Sequence, residues 1–458
     1  MYYIHGSYEP GETVAAIATP PGEGGIAIVR IAGKEALSVA AKVFSRPVGK
    51  MASHTCRYGE ICDSDGSVID RGLALVLLGR RSFCGEDTVE LHCHGGSLVS
   101  RRVLEAVVRA GARAAQPGEF AFKAFTNGKI DLAQAEAIQS LISAKNEMAL
   151  TVADRQLAGA LSDRVKGFQT RLTHLAAILE AWIDFPEEDL AFASFEQVVA
   201  DLEAIESEIN ALVDTFHDGK ILSEGLSLCL AGCPNVGKSS IMNALLEEDR
   251  AIVTHVPGTT RDVLENDLRL NGLNVKLIDT AGIRETEETI EVEGIRRSRL
   301  AMQRADLVLF VLDATQKIRA EEKALFKEVP GKKSIAIWNK IDLPYGDLPA
   351  LPFEHVVSLS AKEGTGLAEL KKKIDSVIWE GGVPSCEEVV ITKLRHCEAL
   401  QASSSAIRAV IDGLQQDVSP ELLTLDMRSG LESLGKIIGT DITDDILADI
   451  FSHFCVGK

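Results

Sequence analysis

The 458-residue chain lacks several features that would place it in a membrane or outside the cell. Its longest apolar runs, such as the LVLFVL that starts at Leu307, have the length of a strand and are too short to span a bilayer. The first ten residues, MYYIHGSYEP, contain no basic segment followed by an apolar core. The nine cysteines include no Cys-x-x-Cys pair, which favours reduced, mostly buried thiols over disulfides or a zinc ribbon. We therefore expect a soluble, cytoplasmic protein that contacts no membrane.

The chain also has fewer basic than acidic residues. The chain carries 48 lysines and arginines against 67 aspartates and glutamates, which gives a formal net charge of -19. Because affinity for a phosphate backbone depends on lysine and arginine, this balance argues against a general nucleic-acid binder. Any contact with RNA must therefore use a local basic patch or a partner protein.

The pattern of apolar residues divides the chain into four parts. Residues 1–126 carry apolar stretches broken by proline and glycine, which indicate an α+β domain. Residues 127–222 are rich in Ala, Leu, Gln and Glu at helical spacing. Residues 223–380 alternate strand-like and helix-like segments, as in a parallel, doubly wound sheet, and residues 381–458 are helical again. The predicted fold is multidomain, with an α/β P-loop domain inserted into a helical bundle domain; a tandem array is the alternative.

Two helix limits can be predicted more closely. One apolar face ends near Asp218 and Gly219, and it consists of Leu202, Ile205, Ile209, Leu212 and Phe216. After the α/β segment, Ser385 is followed three residues later by Glu388. This spacing has the form of a capping box, which predicts that a helix opens at Ser385.

The segment GCPNVGKS, residues 232–239, matches the phosphate-binding pattern G-x-x-x-x-G-K-[ST]. It lies between a predicted strand, LSLCLAG, and a predicted helix, SSIMNALL, which is the context that the motif needs. Its amides should cradle a phosphate chain at the amino terminus of the helix. Lys238 would neutralise the β- and γ-phosphates, and Ser239 would ligate magnesium.

Three further motifs follow in the expected order. In DTAG, Asp279 can hold magnesium through its hydration shell, and the Gly282 amide can sense the γ-phosphate. In NKID, the Asp342 carboxylate can accept two hydrogen bonds from guanine, whereas adenine offers no matching pair of donors. SAK, which begins at Ser360, fits the loop whose amide meets the guanine O6. The nucleotide is therefore predicted to be GTP.

The catalytic water lacks its usual partner. Thr260, in VTHVPGTTRD, is the candidate switch threonine that completes the magnesium shell. The position after DTAG is Ile283, where the best-known small GTPases carry a glutamine that orients the attacking water. Isoleucine has no polar atom for this task, so another group must act. Spacing alone does not separate the acidic candidates Glu285, Glu287, Glu288, Glu291 and Glu293.

Segments outside the nucleotide motifs carry a closer resemblance. PNVGKSS, GTTRD, DTAGIRE and EVEGI occur together with PGEGGIAIVRIAG, GEDTVELHCHGG, GEFAFKAFTNGKIDLAQAEA and the terminal FCVGK. Over almost its whole length the chain closely resembles the tRNA-modifying GTPase family MnmE, also called TrmE, within the TrmE-Era-EngA-YihA-Septin-like superfamily. The family usually has isoleucine at the position of Val456, an apolar change that should leave the pocket intact.

The resemblance implies that a potassium ion takes the role of an arginine finger in hydrolysis. Asn235 and Thr259, with the carbonyls of Thr254 and Val256, would hold the ion. Glu291, in EVEGI, would position the water and, with Lys238, make up the catalytic pair. The exposed switch segment should close when the GTPase domains of a homodimer meet.

The predicted GTP site thus draws on five segments of the chain. Its members are Asn235, Val236, Gly237, Lys238, Ser239, Ser240, Thr254, His255, Val256, Pro257, Gly258, Thr259, Thr260, Asp279, Thr280, Ala281, Gly282, Asn339, Lys340, Asp342, Ser360, Ala361 and Lys362.

The resemblance also implies a second site and further partners. Residues 1–126 would bind a one-carbon tetrahydrofolate, in its 5-formyl or 5,10-methylene form, and would dimerise. The folate ligands would be Arg30, Glu90, Lys129 and Lys458, since a pterin edge suits a carboxylate and a glutamate tail attracts cations. With an MnmG-like FAD protein, in a heterotetramer, the chain would build a carboxymethylaminomethyl or aminomethyl group at carbon 5 of the wobble uridine of certain tRNAs.

Several alternatives stay open at this point. Cys455 is a candidate reactive thiol, and a buried structural cysteine is the other interpretation. His92 and His94 lie two residues apart, as in a metal-binding strand, but no further ligands accompany them at suitable spacing. A GTP-operated switch in ribosome assembly and a folate-dependent transferase with a vestigial GTPase are the competing functions.

Overall fold

The computed structural model describes residues 2–3, 6–7, 9–184, 194–248, 268–270, 272–278, 301–326, 331–379, 388–416 and 418–457. Eight cysteines lie in these ranges; all are free thiols, and five of them are buried. None of the helices in these ranges combines the length and the apolar character that a membrane span requires.

A two-stranded ribbon and a six-stranded sheet form the amino-terminal part. The strands are β1 (Tyr2–Tyr3), β2 (Gly6–Ser7), β3 (Val14–Ile17), β4 (Gly24–Ala32), β5 (Thr55–Cys62), β6 (Val68–Leu77), β7 (Thr88–Gly95) and β8 (Arg113–Ala114). The sheet has the order β5-β6-β7-β4-β3-β8, in which β3 and β8 are parallel and the other neighbours are antiparallel.

Alternation along β4 gives this sheet two different faces. Ala27, Val29 and Ile31 are buried with the apolar side chains of α1 (Ala36–Val43) and α2 (Ser97–Arg109). The other face is covered by α3 (Glu119–Thr126), whose Phe120 packs with Val14, Ala16, Ala32 and Cys84. Arg30 lies on this second face, next to the Phe120 ring.

Five helices follow the first sheet. They are α4 (Leu132–Ser143), α5 (Glu147–Leu157), α6 (Ala160–Asp184), α7 (Phe195–Asp214) and α8 (Phe216–Glu224). The first of them starts where its sequence dictates, because the Asp131 side chain accepts from the Gln134 amide while the Gln134 side chain accepts from the Asp131 amide.

The second sheet is almost entirely parallel. Its strands are β9 (Leu226–Ala231), β10 (Leu268–Leu270), β11 (Leu273–Ile278), β12 (Leu307–Asp313), β13 (Ser334–Asn339) and β14 (His355–Ser358), in the order β10-β11-β9-β12-β13-β14. Only the β10-β11 pair in this sheet of described strands is antiparallel. All seven residues of β12 are buried, as expected for a central strand with both faces covered. Helices α9 (Lys238–Glu248) and α10 (Ala320–Phe326) lie between strands of this sheet, and α11 (Leu367–Ile378) follows its last strand.

Three more helices complete the described chain: α12 (Leu394–Gln415), α13 (Pro420–Ile438) and α14 (Asp444–Ser452). The apolar faces of α6 and α7, from before the second sheet, share one core with those of α12 and α13, from after it. The α/β part is therefore inserted into a helical bundle, which confirms the predicted fold class. The boundaries after residues 126, 222 and 380 remain a prediction; the second of them falls in the last turn of α8.

The predicted helix end near Gly219 is wrong. Although α7 ends at Asp214, the next helix begins at Phe216 and runs through Gly219 to Glu224. A Cβ at Gly219 would lie 2.2 Å from the Ile391 carbonyl oxygen, so glycine is needed here because another segment packs against the helix. Helix propensity alone does not predict this contact between distant segments of the chain.

The capping box at Ser385 is not followed by the predicted helix. Ser385 itself is outside the described residues, but the chain from 388 to 393 is not helical and α12 begins only at Leu394. Long-range hydrogen bonds hold this segment: Gln156 donates to the Val390 carbonyl at 3.0 Å, and the Ile391 amide donates to the Thr215 hydroxyl at 3.0 Å. Tertiary contacts therefore replace the helical hydrogen bonds.

Candidate functional site

The phosphate-binding loop joins the buried strand β9 to the helix α9, which begins at Lys238. Gly232 and Gly237 have φ values of 139° and 98°, in a region that favours glycine. Added Cβ atoms would lie 2.3 Å from the Val311 carbonyl oxygen and 2.2 Å from the Asn339 amide nitrogen. The loop thus packs tightly on the ends of the neighbouring strands, with the amino terminus of α9 beside it.

Lys238 crosses this loop. Its ammonium group donates to the carbonyls of Gly232, at 2.6 Å, and Cys233, at 2.9 Å. Ser239 is half-buried and Ser240 is exposed in the first turn of α9. The loop therefore offers a cation, a hydroxyl and helix amides, which is the donor set that a magnesium-bound phosphate chain requires.

Asn339 connects this loop to the predicted base-binding loops. Its side chain is 2% exposed and sits at the end of β13. The amide nitrogen donates to the Val236 carbonyl at 2.9 Å, and the amide oxygen accepts from the Ala361 backbone at 3.1 Å. One buried side chain therefore fixes the position of the phosphate loop relative to the SAK segment.

Lys340 makes a second link to the same loop. It has a left-handed backbone with a φ of 67°, and its ammonium group donates to the Asn235 carbonyl at 2.8 Å and to the Asp313 carboxylate at 2.6 Å. Burial would raise the pKa of Asp313, but hydrogen bonds from Lys340 and Thr315 outweigh burial and hold that pKa below its ordinary value. An ionised carboxylate thus orients the lysine.

Asp313 was missed in the sequence, although a signal exists. It ends the buried strand β12, directly opposite Asn339 in the register with β13. An acidic residue at the end of a fully buried parallel strand lies at the edge where ligands bind, so it qualifies as a site candidate.

The Asp342 carboxylate is oriented by Ser360. The Ser360 hydroxyl donates to Asp342 at 2.7 Å, and the same hydroxyl accepts from the Glu363 amide at 3.2 Å. Ser360 is buried, while Lys362 is exposed. The structure therefore brings NKID and SAK together, with a carboxylate positioned to accept paired hydrogen bonds.

The remaining predicted members of the GTP site lie outside the described residues. They are Thr254, His255, Val256, Pro257, Gly258, Thr259, Thr260, Asp279, Thr280, Ala281, Gly282 and Glu291. Among the predicted potassium ligands, Asn235 is described; it is exposed at the rim of the loop with a φ of 66°.

A second polar site lies on the α3-covered face of the first sheet. Arg30 on β4 and Glu90 on β7 are cross-strand partners, and the guanidinium donates to the carboxylate at 2.9 Å. The carbon of the same guanidinium lies 5.5 Å from the centre of the Phe120 ring. The other Glu90 oxygen is 3.5 Å from His92 Nε2, which is too long for a good hydrogen bond. That buried ring nitrogen has no hydrogen-bond partner in the structure, so the site holds an unsatisfied polar atom beside a carboxylate.

The carboxy-terminal tail reaches this site. Arg30 donates a further hydrogen bond to the Gly457 carbonyl at 3.0 Å, and Val456 pairs with Pro117 in an antiparallel bridge. A Cβ at Gly457 would lie 2.5 Å from the Ile17 carbonyl oxygen, so the tail packs directly on β3. Lys458, the next residue, lies outside the described residues.

Lys129 and Cys455 lie at the margins of this site. The Lys129 ammonium donates to the Arg80 carbonyl at 2.7 Å rather than to Arg30 or Glu90. Cys455 is an exposed free thiol.

The two histidines of HCHGG have different neighbours. His92 lies beside Glu90, whereas His94 is paired with Asp70 at 2.8 Å. Within the described part of the chain, no group of three or more His, Cys, Asp or Glu side chains is arranged to hold a metal ion.

Two protein-family models match consecutive segments of the chain. The family model described as GTP-binding protein TrmE N-terminus matches residues 13–129, and the model described as MnmE helical domain matches residues 132–455. The tRNA modification GTPase MnmE of Protochlamydia amoebophila is 61% identical over 458 residues, covering 100% of both chains. The protein of the same name from Heliobacterium modesticaldum is 43% identical and covers 98% of this chain and 100% of its own.

A solved structure also matches a third of the chain. The FeoB G-domain from Methanococcus jannaschii is 30% identical and covers 33% of this chain and 97% of its own, with a TM-score of 0.25. A score that low carries no argument about fold or function.

Proposed function

Because the chain belongs to the MnmE family of tRNA modification GTPases, we propose that it uses GTP hydrolysis to drive a one-carbon modification of the wobble uridine of certain tRNAs. The product is the 5-carboxymethylaminomethyl or aminomethyl group, and an MnmG-like FAD protein is the partner. The observation that supports this function best is the presence of two built sites in one chain. Asn339 joins the nucleotide loop to the SAK segment, where Ser360 donates to the Asp342 carboxylate. The Arg30–Glu90 pair is in contact with the tail.

In the GTP site, each described side chain has one task. Asp342 accepts from the two guanine donors, and Ser360 orients it. Lys238 moves from the loop carbonyls to the phosphates, and Ser239 ligates magnesium together with Thr260. Asn339 keeps the base and phosphate loops in register.

Potassium supplies the positive charge that an arginine finger supplies elsewhere. Asn235 holds it with Thr259 and the carbonyls of Thr254 and Val256. The Asn235 backbone is fixed by Lys340, and its side chain lies at an exposed rim where another surface can reach it. Glu291 positions the water.

The second site fits a one-carbon tetrahydrofolate, either 5-formyl or 5,10-methylene. A pterin presents paired donors and acceptors, and Glu90 with the unsatisfied nitrogen of His92 offers the matching groups. Arg30 orients Glu90 and donates to the Gly457 carbonyl in the tail, and Lys458 and Cys455 would be further members of the site. Lys129 supplies a cation at the edge.

We further propose a cytoplasmic homodimer that joins the MnmG-like protein in a heterotetramer. The described helices include no membrane span. Because the net charge of the chain is -19, it binds tRNA largely through local basic groups and through its partner protein.

The direct test is nucleoside analysis of tRNA from cells that lack this chain. We expect the 5-carboxymethylaminomethyl and aminomethyl uridines to disappear and to return when the wild-type chain is restored. Complementation with Arg30→Met should fail to restore them. Unchanged nucleosides together with a ribosome assembly defect would instead support the GTP-operated assembly switch.

A further inference from the structure

Three basic side chains gather at one loop of the first sheet. Arg80 and Arg81 are exposed in a 3₁₀ turn, Gly79–Arg81, that follows β6. Among the described residues, neither guanidinium takes part in a hydrogen bond or an ion pair. Lys129 joins them, because its ammonium group donates to the Arg80 carbonyl at 2.7 Å. Because the chain has an excess of acidic residues, cationic side chains that lie together without an ion-pair partner indicate a binding site for an anionic ligand.

The neighbouring carboxylates already have partners. Asp87 accepts from the Gly79 amide at 2.8 Å and so fixes the start of the turn. Glu86 is paired with the buried Lys123 at 2.8 Å. The positive charge of the turn is therefore available to a ligand that brings its own carboxylates or phosphates.

This basic turn lies on the same face of the sheet as the Arg30–Glu90 pair. Cys84, which follows the turn, packs with Phe120 and Ala32 in one apolar cluster. The Phe120 ring also contacts the Arg30 guanidinium. A ligand that starts at Glu90 can therefore reach the turn without crossing the sheet.

An apolar strip on β6 connects the two places. Leu75 is the cross-strand partner of Glu90, and Leu77 is the partner of Thr88, so both leucines face the same side as Glu90. Both are only partly buried. The five residue steps from Leu75 to Arg80 span at most about 17 Å of extended chain.

We propose that the Arg80, Arg81 and Lys129 cluster binds the glutamate tail of the folate, and that the chain takes folates with several glutamates. The inference rests on the proposed folate site. With the pterin at Glu90, the aminobenzoyl ring lies on Leu75 and Leu77, and the tail carboxylates arrive at the cluster. A guanidinium binds a carboxylate through two parallel hydrogen bonds, and each additional glutamate adds a carboxylate.

The test is calorimetric titration of the full-length chain with 5-formyltetrahydrofolate as the monoglutamate and as the pentaglutamate. The wild type should bind the pentaglutamate more tightly by roughly tenfold or more, as expected for added charge-assisted hydrogen bonds. The Arg80→Ala/Arg81→Ala double variant should lose most of this gain while still binding the monoglutamate. Arg101→Ala, an exposed change on α2 at the opposite face, should keep the gain.

The outcomes separate this inference from the function on which it rests. Equal affinity of the wild type for the two folates, or a double variant that keeps the gain, overturns the tail site and leaves the folate site standing. A wild type that binds neither folate overturns the folate site itself. A double variant that keeps the gain but loses tRNA affinity shows that the cluster contacts phosphate, and it overturns the proposal.

Discussion

At the scale of single residues, the GTP site depends on a few side chains that hold two loops in register. Asn339 and Lys340 each bind the phosphate loop and a second partner, Ala361 or Asp313. The NKID motif predicts that Asn339 and Lys340 belong to the GTP site, but it does not predict their hydrogen-bond partners. Asp313 carries no motif of its own, so its role emerges only when the register of two parallel strands places it opposite Asn339.

We propose that guanine selectivity is carried by Asp342. Changing Asp342→Asn replaces one acceptor oxygen with an amide donor that faces the exocyclic N2 amino group of guanine, so GTP affinity should fall by roughly tenfold to a hundredfold. Xanthosine triphosphate, which has a carbonyl acceptor at C2 in place of that amino group, should bind better than GTP. Competition binding measures both. Asp347→Asn, an exposed change five residues later, is the control, and unchanged GTP affinity in the Asp342 variant would contradict the assignment.

At the scale of elements, the tail and the helix termini show where local sequence stops being sufficient. The capping box at Asp131 sets the start of α4, and its partners lie within the same turn. Ser385 and Glu388 offer the same pattern, but long-range bonds from Gln156 and Thr215 hold the following residues in a non-helical form. Whether a local signal prevails depends on contacts that sequence spacing does not contain.

The tail should be sensitive to a single methyl group. Gly457→Ala would place a Cβ 2.5 Å from the Ile17 carbonyl oxygen, at a φ of 96° that disfavours alanine. The Gly457 carbonyl should then move away from Arg30, and we expect folate affinity to fall by about tenfold for one lost charge-assisted bond. Calorimetry measures this. Gly49→Ala, in the same domain with open space around it, should bind as the wild type does, and equal binding by both variants would refute the contact's role.

A buried ion cluster joins α4 to α12 within the helical part of the chain. Glu136 on α4 is paired with Arg395 and His396 on α12, each at 2.7 Å. Burial would raise the pKa of Glu136, but the charges and hydrogen bonds of His396 and Arg395 outweigh it and lower the pKa to about 2. Because the pKa is lower in the folded protein, the ionised carboxylate stabilises the fold at pH values above the ordinary pKa of 4.5. This stabilisation is lost as the pH falls from 4.5 towards 2.

Glu136→Gln should therefore lower the free energy of unfolding at pH 7 by about 3 kcal/mol, and the deficit should shrink as the pH falls below 4.5. Denaturant unfolding at several pH values measures the difference. The exposed Glu432→Gln on α13 is the control and should change little. A deficit in the Glu136 variant that is independent of pH would contradict the ionised state assigned to this carboxyl.

At the scale of the whole molecule, the insertion of the α/β part into the bundle is what the changes in residue pattern predict. Helical spacing appears on both sides of the alternating segment, and α6, α7, α12 and α13 do share one core. The buried interface between the α/β part and the helical bundle was not predictable from the sequence. Val152, Ile221 and Val390 pack with the core of the second sheet, and this contact joins residues that are far apart in sequence.

Potassium and subunit contact should act together. Asn235 lies at an exposed rim, so we expect the GTPase domains of a homodimer to meet when GTP and potassium are bound. Turnover should rise in potassium, by as much as about 10³-fold, while sodium should support neither contact nor turnover.

Asn235→Ala should lose the potassium response, and Glu291→Ala should keep the contact and lose turnover. Fluorescence transfer between labelled domains and phosphate release measure the two events. Equal wild-type turnover in both salts would reject the mechanism and leave Arg261 or Arg284 as the source of positive charge.

The central claim is that this one chain couples GTP hydrolysis to the transfer of a folate carbon to tRNA. The most direct measurement incubates the purified chain with the MnmG-like FAD protein, its tRNA, GTP, a methylene-labelled tetrahydrofolate and, as the source of the amino nitrogen, ammonium or glycine. The label is followed by mass spectrometry of the nucleosides. We predict that label enters the carbon attached to position 5 of the wobble uridine, and only when GTP is hydrolysed. A modified uridine without label, or labelling that proceeds equally without GTP, would contradict the account.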